Sequence, residues 1–190
     1  MVRFSKKEIA KAVDVLHDAL RERNFHENVY LILIGAASLI VKHNLKRATS
    51  DIDIMDTGIP RCHIGGLGAL LSQLGYHVVS DAIVNLHPDY LERVEEIVQK
   101  DNVFVLSLGP YDLAISKISR GLQRDIDDLL VSDVLASLKI DRLERLYAEA
   151  ATYWVGNTEH FRLNWDMFID AYNRYQNGVS GQADPSGSDA

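Results

Sequence analysis

The chain has 190 residues, 47% of them hydrophobic, and carries 20 Lys and Arg against 27 Asp and Glu, for a formal net charge of −7. That length suits one domain, or a domain with a helical extension, and the acidic balance excludes a global attraction to nucleic acid or to an anionic membrane, so any polyanion must meet a local basic patch. One cysteine, Cys62, excludes an internal disulfide, and with no signal-like segment and no apolar run near ~18 residues the expectation is a soluble, cytoplasmic protein without membrane contact.

In chain order, Ser5-Lys6-Lys7-Glu8 has the form of a capping box, and Ile9, Val13, Leu16 and Leu20 recur at helical spacing, predicting an amphipathic helix to about Arg23. Val29 to Ile34 is a continuous aliphatic run and reads as a buried strand; Ala37 to His43 is a short helix behind the Gly35 turn. Ser50 to Asp56 reads as the second strand, closed by the breakers Thr57-Gly58-Ile59-Pro60. His63 to Leu74 reads as a helix stopped by Gly75, Tyr76 to Leu86 as one or two strands, and Pro88 as the opening of a helix through about Val98. Val103 to Leu108 is the last strand, and helices follow to Tyr175, with breaks near Ser132, Ile140 and Gly156-Asn157. From Gln176 to Ala190 the composition turns to Gly, Ser, Asp and Ala, which predicts disorder. The pattern is that of an α/β (α+β) protein: a small mixed sheet flanked by helices over residues 1–131, a helical extension over 132–175, and a tail over 176–190.

Two stretches carry chemistry. In the first, Asp51-Ile52-Asp53-Ile54 read as a strand puts both carboxylates on one face and both isoleucines on the other. Carboxylates so placed repel unless a cation lies between them, and Mg2+ is the hard ion that one or two carboxylates plus substrate phosphates satisfy. Upstream, Gly35 permits a tight turn, and the helix opening near Ala36 aims N–H groups at an anion. In the second stretch, Tyr111 to Val131 read as one helix, the stripe Ile115, Ile118, Leu122, Ile126 and Leu129 is offset from Lys117, Arg120, Arg124 and Asp128, with Asp125 beside them. Two readings fit that charged face. One is a solvated surface with Arg–Asp pairs worth ~0.3–0.5 kcal/mol each; the other is a basic ladder that ends in an acidic pair.

Taken together, Gly35 with small residues through Ser38, Arg47-x-Thr49-x-Asp51-x-Asp53, and Lys117…Arg120…Arg124-Asp125-x-x-Asp128-Leu129 resemble the nucleotidyltransferase superfamily that includes DNA polymerase β. Within it the likeness is to the bacterial minimal and AbiEii-type toxin nucleotidyltransferases, and it covers roughly residues 29–131. The resemblance implies a nucleotidyltransferase-like sheet and the transfer of a nucleoside monophosphate from an NTP to an acceptor hydroxyl. Asp51 and Asp53 would then hold Mg2+, with a two-metal site open to them. Gly35, Ala36, Ala37 and Ser38 would cradle phosphates, with Ser38 supplying the side-chain contact because Ala36 stands where the family pattern has Gly or Ser. Lys117 would contact the triphosphate, Arg124 would assist it, and Asp125 or Asp128 would complete or support the metal and base site. Arg47 would either bind phosphate or pair with a carboxylate. The acceptor implied is RNA such as tRNA, a protein or a small molecule, and an antitoxin partner fits the toxin likeness.

Other residues read more plainly. Cys62-His63, His77 and His87 lack paired metal-ligand spacing. Trp154, Phe161, Trp165, Phe168 and Tyr172 fall at core spacing in the last helices, and Lys139, Arg142 and Arg145 read as a solvated face. A phosphatase of the haloacid-dehalogenase type also uses Asp-x-Asp, but directly after a hydrophobic strand, whereas Arg47-Ala48-Thr49-Ser50 precedes it here. The rival to an enzyme is a non-catalytic nucleotide- or partner-binding protein on the same fold.

Overall fold

The computed structural model describes residues 5–58, 64–80, 84–154 and 158–180. The organising strand is β1 (Val29–Leu33), whose apolar run is buried on both faces except at the exposed Tyr30. Leu31 and Leu33 pack with Ile9, Val13, Leu16 and Leu20 of α1 (Lys6–Glu22) and with Leu67 and Leu71 of α3 (Ile64–Gln73). Ile32 packs on the other side, with Leu39 of α2 (Gly35–Lys42) and Ile115 and Ile118 of α4 (Pro110–Arg120). The sheet has five strands in the order β3-β2-β1-β5-β4, where β2 is Ile52–Met55, β3 Tyr76–Val79, β4 Glu95–Lys100 and β5 Val103–Ser107. β1 runs antiparallel to β2 and parallel to β5, and β2 runs parallel to β3, so the sheet is mixed.

The second apolar layer gathers the helices that follow β5. Ile126 and Leu129 of α5 (Gln123–Val131), Leu143 and Tyr147 of α6 (Ile140–Thr152), and Phe161 and Phe168 of α7 (Thr158–Ser180) join the cluster that already holds Ile32 and Ile115. Aromatic contacts knit the last helices, with ring centroids 4.8 Å apart for Tyr147 and Phe161 and 5.6 Å for Trp165 and Phe168. Arg142 lies over the Tyr111 ring, 4.8 Å from its centroid. No helix among the described residues is long and apolar enough to cross a membrane.

Several expected elements differ. The helix expected from Pro88 through Val98 is a short 3-10 turn at Tyr90–Arg93 followed by strand β4. β4 is an edge strand, where polar Glu95, Glu96 and Gln99 face solvent at little cost, and it forms a hairpin with β5 through Asp101, which adopts φ +48°. The expected strand Ser50 to Asp56 shortens to β2, whereas the one or two strands expected over Tyr76 to Leu86 include β3 among the described residues. The single helix expected over Tyr111 to Val131 is broken at Gly121 (φ +64°) into α4 and α5. The last helix continues through Ser180, so residues 176–180 are helical although their composition predicted a disordered tail. Cys62-His63, Ile59-Pro60, Gly156-Asn157 and the tail from residue 181 lie outside the described residues.

Candidate active site

Strand alternation in β2 sets the first half of the site. Ile52 and Ile54 are fully buried on the α1 side, while Asp53 shares the α4 side with Met55. At the end of the β1–β2 ladder the Ile34 N–H donates to the Asp53 carbonyl (3.0 Å), and the chain then turns at Gly35 with φ +62°. That left-handed conformation costs an L-residue ~1–2 kcal/mol. It also lays the backbone against the carboxylate: a Cβ at Gly35 would lie 3.4 Å from Asp53 Oδ2. Asp51 sits one residue ahead of β2, exposed, with Oδ2 accepting from Ser50 Oγ at 2.8 Å and its carbonyl accepting from Thr49 Oγ1 at 3.1 Å. Parallel pairing sets His77 of β3 beside Asp53, with Nδ1 3.2 Å from Oδ1.

The second half depends on the break at Gly121. On one continuous helix Lys117 and Asp125 would be separated by ~12 Å along the axis. With the turn they meet: Lys117 Nζ donates to Asp125 Oδ1 (2.6 Å) and to Asp128 Oδ2 (2.9 Å). Arg120 Nη2 also donates to Asp125 Oδ1 (2.6 Å), and Arg47 clamps Asp128 with Nε on Oδ1 and Nη2 on Oδ2, both at 2.6 Å. Lys117, Asp125 and Asp128 are 1%, 0% and 3% exposed. The solvated-face reading of this ladder is therefore overturned for these three, and only Arg120 and Arg124 reach solvent. Burial alone raises the Asp128 carboxyl, but hydrogen bonds from Arg47 and Lys117 outweigh it and hold the group below the ordinary carboxylate value. The same hydrogen bond raises Arg47. Asp125 Oδ2, although buried, has no hydrogen-bond partner among the described residues.

Both halves line one cavity of about 310 Å3: Gly35, Ala36, Arg47 to Asp51, and Asp53 on one side, Lys117, Arg120, Arg124 and Asp125 on the other. Of the residues singled out from the sequence, Ala37 and Ser38 are not brought to it. Ala37 is buried in the core on the α1 side, and Ser38 Oγ is spent on Ser107 Oγ, which in turn donates to the Leu108 carbonyl (2.8 Å). The side-chain phosphate contact expected of Ser38 is thus replaced by a bond between α2 and the neighbouring strand. Asp128 stands behind the cavity, with both oxygens engaged, as the anchor of Arg47 and Lys117. Arg120 belongs to the site although only its place in the ladder, three residues after Lys117, hinted at it.

The donor set fits a magnesium ion. Asp51 and Asp53 line the cavity beside the Gly35 turn and could serve as protein ligands; among the described residues no group of three His, Cys, Asp or Glu is placed to hold a metal ion. One or two carboxylates completed by water and substrate phosphate is the arrangement Mg2+ favours.

No curated protein and no solved structure matches the chain. A family described as "Nucleotidyltransferase of unknown function (DUF6036)" matches residues 10–176, which takes in every residue that lines the cavity. The chain belongs to this nucleotidyltransferase family.

Proposed function

We propose that the protein is a Mg2+-dependent enzyme that transfers a nucleoside monophosphate from an NTP to an acceptor hydroxyl. The observation that carries this reading is the cavity itself, in which two carboxylates and a glycine turn face Lys117, Arg120 and Arg124. In the transfer, the acceptor oxygen bonds to the α-phosphorus, the bridge to the β-phosphate breaks, pyrophosphate leaves, and the acceptor's proton passes to a carboxylate of the site. Asp51 and Asp53 would hold Mg2+, which would supply neutralisation of phosphate charge, with room in this reading for a second ion.

The chain's own groups do the rest. The Gly35-Ala36 backbone approaches the phosphates closely because Gly35 carries no side chain. Lys117 is held by two carboxylates and Arg120 by one, so the cations are positioned before the substrate arrives. Asp125 rather than Asp128 is assigned to the acceptor: it lines the cavity, and its unpartnered Oδ2 suits a hydrogen-bond donor such as the attacking hydroxyl. Lys117, Arg120 and the Arg124-Asp125…Asp128-Leu129 order also support an AbiEii-like toxin, with tRNA or a protein as acceptor, an antitoxin as partner and the cytoplasm as setting.

A non-catalytic nucleotide binder is the second reading, favoured by Ala36 and by the withdrawal of Ser38, which leave no hydroxyl from this turn on the phosphates. Incubation with each α-labelled NTP, Mg2+ and either tRNA or protein acceptors separates the two. Mg2+-dependent incorporation of label with pyrophosphate release is expected. Mg2+-dependent binding with neither would leave the binder.

A further inference from the structure

An NTP carries a flat, largely apolar base as well as a polyanionic tail, and the cavity that joins Asp51 to Lys117 is walled mainly by polar and charged groups. Beside it opens a second cavity of about 250 Å3, between the end of β3 and α4, which shares Gly35, Asp53 and Arg120 with the first. Its walls are different: Ile34, Val79 and Val84 supply aliphatic surface, and Asn85 and Ser116 supply an amide and a hydroxyl. A third, wider cavity of about 840 Å3 shares Ser50, Asp51 and Asp53 with the first and follows the chain from Ser72 to His77. Asp53 borders all three.

That junction matches what the chemistry asks for at one atom. The α-phosphorus is bonded to the nucleoside, is bonded to the departing pyrophosphate, and is attacked by the acceptor, so three groups must leave it in three directions. Building on the nucleotidyltransferase reading, we propose that the cavity between β3 and α4 receives the nucleoside, with Val79 and Val84 against the base and Asn85 at its edge. Aliphatic walls with a few placed polar groups are the ordinary make-up of a small-ligand pocket. About 250 Å3 is smaller than the ~300–1,000 Å3 of complete ligand sites, as expected when only one end of the ligand enters. An amide presents a donor and an acceptor side by side, the pattern that pairs with a base edge. Ser116 Oγ donates to the Leu113 carbonyl (2.9 Å) and keeps lone pairs for a ribose hydroxyl. Arg120, fixed by Asp125, stands on the border between tail and nucleoside.

The test compares the four Mg-NTPs with Mg-tripolyphosphate, which has the tail and no nucleoside, by calorimetric titration of the full chain. Wild type is expected to bind its best NTP about tenfold or more tighter than tripolyphosphate. Val84→Trp, which fills the cavity, should weaken that NTP by about tenfold and leave tripolyphosphate within about twofold. Asn85→Asp, which replaces the amide donor at the rim by a carboxylate, should reorder the four NTPs, with its added charge weakening tripolyphosphate and all four NTPs by a common factor. Equal wild-type affinity for NTP and tripolyphosphate, or a folded Val84→Trp that binds NTP as wild type does, overturns the nucleoside assignment while the nucleotidyltransferase reading stands. Should Val84→Trp melt early, an unchanged NTP ranking in Asn85→Asp overturns it instead. A wild type that binds neither ligand overturns the nucleotidyltransferase reading, and the nucleoside pocket with it.

Discussion

Asp112 on α4 and Asp125 on α5 are both 0% exposed, and each is met by an arginine, yet the two sites are built differently. Asp112 is closed: Arg93 Nε and Nη2 donate to Oδ2 and Oδ1 at 2.7 and 2.8 Å, one donor for each oxygen. The loop around it is equally tight, since a Cβ at Gly109 would lie 2.3 Å from the Arg93 carbonyl oxygen. Asp125 is open: Lys117 and Arg120 both converge on Oδ1 and leave Oδ2 without a donor beside a cavity. An unsatisfied buried acceptor costs ~1–3 kcal/mol, and more for a charged group. The closed site gives each of its oxygens a donor from the fold, whereas the open one leaves an oxygen facing the cavity.

The sharpest way to break this contrast is Asp112→Ala. Removing one partner of a buried pair should lower stability by ~3–5 kcal/mol in urea titration, with Mg-NTP affinity of the folded protein unchanged. Lost nucleotide binding in the folded variant would mean that the closed site is not purely structural. Lys117→Met comes next. Asp125 and Asp128 each keep one arginine, so the expected loss is ~1.5–3 kcal/mol of stability, together with a comparable loss of Mg-NTP binding. Loss of stability alone would place Lys117 with Arg93 as scaffold. Gly35→Ala should cost ~1–2 kcal/mol through its left-handed φ, read as a lowered midpoint in the same titration.

A smaller effect is expected from pH. The Asp128 carboxyl is held below its ordinary value, so its contribution is fully present above the unfolded value near ~3.9 and is lost as pH falls through the lower folded value. Wild-type stability should therefore fall more steeply below about pH 4 than that of Asp128→Asn, as seen in denaturation midpoints across that range. The least change in stability should come from Asp51→Asn combined with Asp53→Asn, which relieves repulsion and leaves the fold unchanged or up to ~1 kcal/mol more stable while Mg2+-dependent transfer is lost. A large fall in melting temperature would assign those carboxylates to the fold.

What could be read from the sequence follows the range over which each feature is determined. β1 and β5 announce themselves because a strand buried on both faces must be apolar throughout, and Asp51, Asp53 and Gly35 because two-residue alternation and a tight turn are local rules. β4 escaped because Glu95-Glu96-Ile97-Val98-Gln99-Lys100 is polar enough for a helix surface, and only pairing with β5 makes it a strand. Ser38 looked like a phosphate ligand because nothing nearby shows that Ser107, 69 residues on, takes its hydroxyl. Lys117 and its acids were visible as a motif, but their burial was not, because the apolar stripe runs through Gly121 without a skip and hides the turn.

Gly121 has one more neighbour. A Cβ there would fall 2.3 Å from Asn164 Oδ1, and Asn164 Nδ2 donates to the Ser119 carbonyl at 2.8 Å, so a residue of α7 both fills the space over the bend and caps the end of α4. The bend brings Lys117 to Asp125, and α7 braces the bend. Residues 5–131 taken without α7 are consequently expected to lose the brace on this bend, and a chimera that exchanged the terminal helix for that of a relative would import a new alignment of cation and acid along with it. A substitution at Asn164 is thus expected to reach the Lys117–Asp125 pair through the bend, from a helix at the far end of the sequence.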